Sequence, residues 1–294
     1  MVIDRTVEAG DGRMLAIQEG GDPAGVPVLV HNGTPNSRLL YGRHLADAEE
    51  RGIRLISYDR PGYGGSTPSP GRSVADCAGD VRAICAALGI DRLATWGVSG
   101  GGPHVLACAA LLPDLVVAAA SLASVAPYGV DGLDYYAGMG QLNADDTQLY
   151  FRDKAASRAK TDADRVEMLA ASPAETAEII KSLLSGPDAA VLTGELADYL
   201  EQSTQSGLAP GSEGWWEDGC AHLEAWGFDV ADITVPTLLL HGEQDQFVPF
   251  GHGVWLAAHI PGVEARLTPD DGHLTLTEHR VGGVHEWLLS KWNA

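Results

Sequence analysis

Short, continuous apolar runs alternate along this chain with stretches of helical spacing. Val26 to Val30 is apolar at every position, and Ile53 to Tyr58, Leu93 to Val98, Leu115 to Ala126 and Thr234 to Leu240 are short, largely apolar runs. That pattern predicts strands covered on both faces, as in a parallel sheet. Residues 5 to 9 and 14 to 18 flank Asp11-Gly12 and predict an antiparallel hairpin. Between the runs lie the helical stretches. Asn36 or Ser37 is placed to cap a helix through about Glu50. Ser73 to Leu88 has helical spacing through Val74, Cys77, Val81, Ile84 and Leu88, with Gly89 as its stop. Pro103 to Leu112 reads as a buried helix, Gly251 to His259 as a short one, Glu264 to Leu267 as a strand, and Leu276 to Leu289 as the closing helix. Such regular alternation implies right-handed crossovers and a doubly covered α/β sheet.

The rhythm is lost between about residues 128 and 229. That stretch is Ala-, Asp- and Glu-rich and helical in character, with loop material at Gly207 to Gly214. The expected organisation is a core built from residues 1–127 and 230–294, interrupted by a helical lid at 128–229. Open α/β sheets bind ligands beyond the carboxyl ends of their strands, so a lid inserted there would roof the site.

Charge and composition narrow the partners. Acidic residues outnumber basic ones 40 to 19 in 294 residues, for a formal charge of −21. That disfavours nucleic acid or an anionic membrane as a partner. The N-terminus lacks a basic start followed by an apolar run, and no apolar stretch is long enough to span a bilayer. The four cysteines, Cys77, Cys85, Cys108 and Cys220, have no C-x-x-C spacing. They read as buried free thiols in a reducing compartment, which points to a cytoplasmic protein. No metal or organic cofactor is indicated. The histidines form no H-x-x-x-H or His/Asp cluster, and Gly97 to Gly102 lacks the Lys-Ser/Thr of a phosphate loop.

The chemistry centres on Gly97-Val98-Ser99-Gly100-Gly101, a G-x-S-x-G match between a strand and a helix. A serine on so sharp a turn has strained backbone angles, and side chains two positions either side would collide with the flanking strand and helix. A nucleophilic serine needs a base, an orienting acid and an oxyanion hole. Of the ten histidines, His273 sits in the turn-rich Pro269-Asp-Asp-Gly-His loop after a strand, where a side chain can be aimed back at Ser99. His252, His279 and His285 lie within predicted helices, His259 ends one, and His104 reads as a packed helix residue. Asp245, in the loop after Thr234 to Leu240, is the preferred acid, with Asp131 and Asp134 as substitutes. For the oxyanion hole, Gly100 offers a backbone N–H and Thr34, in His31-Asn-Gly-Thr-Pro35-Asn36, a second. Trp215, Trp216 and Trp226, with Phe228 and Tyr135-Tyr136, are candidates to line a substrate pocket.

Together these motifs resemble the α/β-hydrolase superfamily along nearly all of the chain outside the insertion. His31-Asn-Gly-Thr-Pro is similar to its His-Gly-x-Pro loop, with Asn32 where a histidine usually stands. Asp59-Arg-Pro-Gly-Tyr-Gly-Gly-Ser66 resembles its D-x-R/P-G-x-G-x-S loop, where Asp59 and Arg60 are expected to pair structurally. The order Ser99, Asp245, His273 is also that superfamily's order. The resemblance implies an α/β-hydrolase fold and acyl transfer, most simply a carboxylesterase acting on a small-molecule ester. Ser99 argues against epoxide opening and dehalogenation, for which relatives carry Asp at the elbow. Alternatives are a proline iminopeptidase-like aminopeptidase, a carbon–carbon bond hydrolase, a cofactor-free peroxidase, a hydroxynitrile lyase, or a ligand-binding relative with little turnover. Thr34 and Val98 depart from the peptidase pattern.

Overall fold

A computed structural model describes residues 2–293. Eight strands form one sheet in the order β1-β2-β4-β3-β5-β6-β7-β8. They are β1 (Ile3–Glu8), β2 (Met14–Gly21), β3 (Val26–His31), β4 (Ile53–Tyr58), β5 (Leu93–Val98), β6 (Val116–Leu122), β7 (Thr237–Gly242) and β8 (Glu264–Thr268). The β1–β2 hairpin and the β2–β4 pair are antiparallel; the remaining pairs are parallel. The continuous apolar runs are the central strands, because helices cover both faces there. One apolar layer joins Leu29, Ile56, Val81, Ile84, Val105 and Leu239; the other joins Val28, Leu55, Trp96, Leu238, Val284 and Leu288.

The core helices are α1 (Gly42–Glu50), α2 (Cys77–Leu88) and α3 (Gly102–Leu111). Between β6 and β7 come α4 (Gln141–Arg152), α5 (Lys154–Ala170), α6 (Pro173–Ile179), α7 (Gly186–Val191), α8 (Gly194–Leu208) and α9 (Glu213–Leu223). The chain closes with α10 (Phe250–His259), α11 (Leu274–His279) and α12 (Val281–Trp292). No helix among the described residues is long and apolar enough to cross a membrane.

Four local expectations change. The first core helix starts at Gly42, not near Asn36, because the preceding segment is committed elsewhere. Asn36 N–H closes a turn on Gly33 O, and Ser37 N–H donates to Ser203 O on α8. Strand β7 begins at Thr237, after Pro236, since proline cannot donate to a ladder. The closing helix is two helices, α11 and α12, meeting at Arg280. Helix α8 runs through Gly207, so the loop before α9 is short.

Register decides where the loops meet. His31 pairs with Gly97, Val98 with Leu122, and Leu122 with Leu240. The carboxyl ends of β3, β5, β6 and β7 therefore lie side by side. The chain leaves β3 towards one edge and β5 towards the other, making a topological switch point between them.

Candidate active site

Ser99 follows the last residue of β5 and has φ of +56°, a left-handed conformation that costs a non-glycine residue energy. The flanking glycines permit the turn. A Cβ on Gly97 would lie 2.8 Å from Gly101 O, His31 O and Val105 Cγ2, and one on Gly101 would run into the backbone of His31 and Asn32. Pro103 stands in the first turn of α3, where its missing N–H is harmless. Ser99 Oγ makes no hydrogen bond among the described residues. Such contacts commonly tighten only around substrate.

His273 enters immediately before α11 and is 5 % exposed. Its Nδ1–H donates to Asp245 Oδ2 at 2.7 Å, which leaves Nε2 as the basic nitrogen. Asp245 is held by its own loop: Oδ1 accepts from the N–H groups of Phe247 and Val248 at 2.9 and 2.8 Å. Phe247 stacks on the His273 ring at 4.6 Å between centroids. Burial works against a charged imidazole, but the charge and hydrogen bond of Asp245, helped by Asp188, raise the His273 pKa above the ordinary histidine value. The substitutes for Asp245 lie away from the site. Asp131 and Asp134 are exposed and neither borders the cavity, and Asp134 caps its own turn through Tyr136 and Ala137 N–H.

Thr34 and Gly100 face one another across the gap between β3 and β5. A Cβ on Gly100 would run into Thr34 Oγ1 and approach His222 Cε1 at 3.0 Å, so only glycine fits. Gly100 O accepts from His104 Nδ1 at 2.9 Å and from His222 Nε2 at 3.0 Å. Burial, reinforced by the charge of Arg60, pushes His222 down to about 4 and His104 well below its usual value, so both donate as neutral rings. His104 is thus a packed helix residue that also braces the elbow.

The expected Asp59–Arg60 pair does not form. Asp59 accepts from Arg38 Nη1 at 2.7 Å and from Gly65 N–H, because its side chain turns back under the loop. Arg60 points the other way, to Asp218 of α9, with Nη2 at 2.6 Å from Oδ2. Arg72 and Tyr63 complete this buried cluster on Asp218 at 2.5 and 2.9 Å. Burial opposes the Asp218 charge, but the two guanidinium groups hold its carboxyl well below the usual range. Thr34 Oγ1 donates to Asp218 at 2.8 Å, and Arg60 Nη2 donates to Gly33 O at 3.1 Å. That carbonyl belongs to the same peptide as the Thr34 N–H. A charged donor on its oxygen polarises the N–H and strengthens it as a donor.

Ser99, Thr34, Gly100 and His273 all border one cavity of about 920 Å3, roofed by residues of α4, α5, α8 and α9. That volume suits a small molecule. Its wall includes Trp215 and Trp216, but Trp226 is not part of it. Trp226 is buried in the core beside Phe228, its indole N–H donating to His222 O. Of the tyrosine pair, Tyr135 borders the cavity and Tyr136 does not. Asp188, Asp218 and His222 escape sequence reasoning, because a single polar residue in an Ala/Glu-rich helix carries no local signal. All four cysteines are buried and unbridged. Among the described residues no three His, Cys, Asp or Glu side chains converge as a metal site would require.

The alpha/beta hydrolase fold family model matches residues 26–280, and the chain belongs to this family. Among its relatives, a non-heme chloroperoxidase of Streptomyces lividans is 28 % identical over 275 residues, 87 % of each chain. A 2-hydroxy-6-oxononadienedioate/2-hydroxy-6-oxononatrienedioate hydrolase of Klebsiella pneumoniae is 24 % identical over 288 residues, 92 % of each chain. An esterase from Exiguobacterium antarcticum shares the fold, with a TM-score of 0.75 at 21 % identity over 99 % of this chain and 100 % of that one.

Proposed function

We propose that the protein is a serine hydrolase of small or medium neutral carboxylic esters, with Ser99, His273 and Asp245 as its triad. The observation that carries this reading is that the Ser99 elbow and His273, hydrogen-bonded behind the wall to Asp245, border the same cavity. His273 Nε2 takes the Ser99 proton as Oγ bonds to the carbonyl carbon. The tetrahedral oxyanion is held by the Thr34 and Gly100 N–H groups. The intermediate collapses to an acyl-enzyme as His273 protonates the leaving alkoxide. Water, deprotonated by His273, then releases the acid and restores Ser99. Helices α4 to α9 act as the lid over this site, and Trp215 and Trp216 supply part of its apolar wall.

The cavity's charges favour an ester over the dioate for which the Klebsiella relative is named. Lys160 is its only Lys or Arg among the described residues, and it is paired with Asp146 and Asp164 at 3.0 and 2.5 Å. Glu167 and Glu201 add two further carboxylates. An anionic substrate would meet net repulsion there. The test is turnover of p-nitrophenyl acetate and butyrate, with fluorophosphonate labelling of the purified protein. Labelling at Ser99 with loss of turnover in Ser99→Ala is expected. Labelling elsewhere, or wild-type turnover in that variant, would refute the assignment, and release of a single equivalent per chain would mark a binding protein.

A further inference from the structure

We propose that Asp188, on the helical insertion, is a positioning residue for His273, a role that rests on the serine hydrolase reading. Asp188 lies in the first turn of α7 and is fully buried. Its Oδ2 accepts from His273 N–H at 2.9 Å, and its Oδ1 from Leu274 and Thr275 N–H at 2.7 and 3.2 Å. Ser185 Oγ donates the fourth hydrogen bond, at 2.8 Å to Oδ2. Among the described residues the carboxylate has no cation partner. A buried anion held only by neutral donors is a costly way to join two helices. What it secures is specific: the backbone of His273 and of the two residues after it.

Local structure makes room for this contact. A Cβ on Gly272 would overlap the Asp188 carboxylate, so the residue before His273 must be glycine for Asp188 to reach. The groups facing His273 come from four directions. Asp245 and Phe247 come from the loop after β7, and His241, from β7 itself, lies 3.7 Å from Asp245 Oδ2. Ser99 comes from the elbow, across the cavity, and Asp188 from α7. Asp271, in the same turn, is paired with Arg280 at 2.9 Å. Asp188 therefore fixes the His273 backbone, and its charge adds to that of Asp245 in raising the ring's pKa. Asp245 orients the imidazole through Nδ1; Asp188 sets where the residue begins. Both favour the imidazolium formed in the transition state.

The experiment compares wild type, Asp188→Asn and Ser185→Ala by NMR titration of the His273 ring, and by kcat and KM for p-nitrophenyl butyrate across the acid limb. Asp188→Asn is nearly isosteric and removes the charge. The His273 pKa and the acid limb should move down together by roughly half to one unit. kcat should fall about tenfold or more while KM stays within about twofold, since a misplaced base costs turnover and not binding. A folded Asp188→Asn with both pKa values unchanged would overturn the proposal. If that variant does not fold, Ser185→Ala decides: it removes one donor and leaves the charge. Faster amide exchange at His273 to Thr275 with a loss of about twofold to fivefold in kcat is expected, and wild-type values of both would overturn the proposal. The ring titration needs no turnover. Activity surviving Ser99→Ala would refute the serine reading while leaving the Asp188 contact to be judged by NMR.

Discussion

At the scale of single residues, the proposed triad divides one task between Asp245 and His273. The short hydrogen bond from His273 Nδ1–H to Asp245 leaves Nε2 as the ring nitrogen free to serve as the proposed base. Asp245→Asn should keep the fold but cost on the order of 10⁴ in kcat, because an amide favours the wrong tautomer. Asp131→Asn and Asp134→Asn should be mild. Measuring kcat for the three variants, with circular dichroism to confirm folding, decides among them. The upward pull on His273 also sets the pH dependence. The ring must be deprotonated to accept the Ser99 proton, so activity should be lost as pH falls through a value above about 6.5. A pH profile of kcat/KM checks this, and an acid limb below that value would count against the Asp245 pairing. Ser99, His273 and Asp245 were legible as types in loops after strands. Trp226 belongs to the core and not the cavity, a difference the sequence does not carry, because an aromatic side chain looks the same there whether it lines a cavity or fills a core.

At the scale of elements, the elbow and the Thr34 loop, proposed to form the oxyanion hole, are fitted to each other. Glycine at position 100 is demanded by Thr34 Oγ1, a residue on another strand's loop. Gly100→Ala should therefore displace one of the two N–H donors and lower kcat by roughly 10² to 10³, the usual cost of losing such a donor. KM for the same ester, measured alongside, should change little. Helix α9 reaches into this region through Asp218. Removing that carboxylate in Asp218→Ala leaves Arg60 and Arg72 buried without their counter-charge, which should cost about 3–5 kcal/mol of stability by urea denaturation. The G-x-S-x-G spacing advertised the elbow, because local sterics alone restrict those positions. Nothing local linked Arg60 to Asp218, 158 positions away.

Across the whole molecule, electrostatics act in two places. On the proposed reading the cavity's carboxylates and its paired lysine would repel an anion, so a hemisuccinate ester should show kcat/KM at least about tenfold below the matching butyrate ester. Equal rates would refute this account of the wall. The interior carries a different load. Burial pushes His44, His222 and His252 each down to about 4. Unfolding exposes them to protonation near 6.5, so the unfolded chain binds more protons between about pH 6.5 and 4, and stability must fall as pH drops through that window. Each contributes on the order of 1–2 kcal/mol by pH 5. His273 works in the opposite sense, since its raised pKa favours the protonated folded state. Denaturant midpoints at pH 7 and pH 5 should show a net loss at the lower pH.

The sequence by itself determined the sheet, the elbow and the three loop residues proposed for the triad. Those features depend on local periodicity and on backbone positions that admit few residue types, such as Gly97 and Gly101 around Ser99. Tertiary structure alone decided which loops touch. The His31–Gly97 and Leu122–Leu240 registers bring the strand ends together. It also decided that the insertion reaches the core through Asp188 and Asp218, and that Asp59 and Arg60 turn apart. A buried carboxylate chooses its partners by the donors within about 3 Å, and those are known only once the chain has folded.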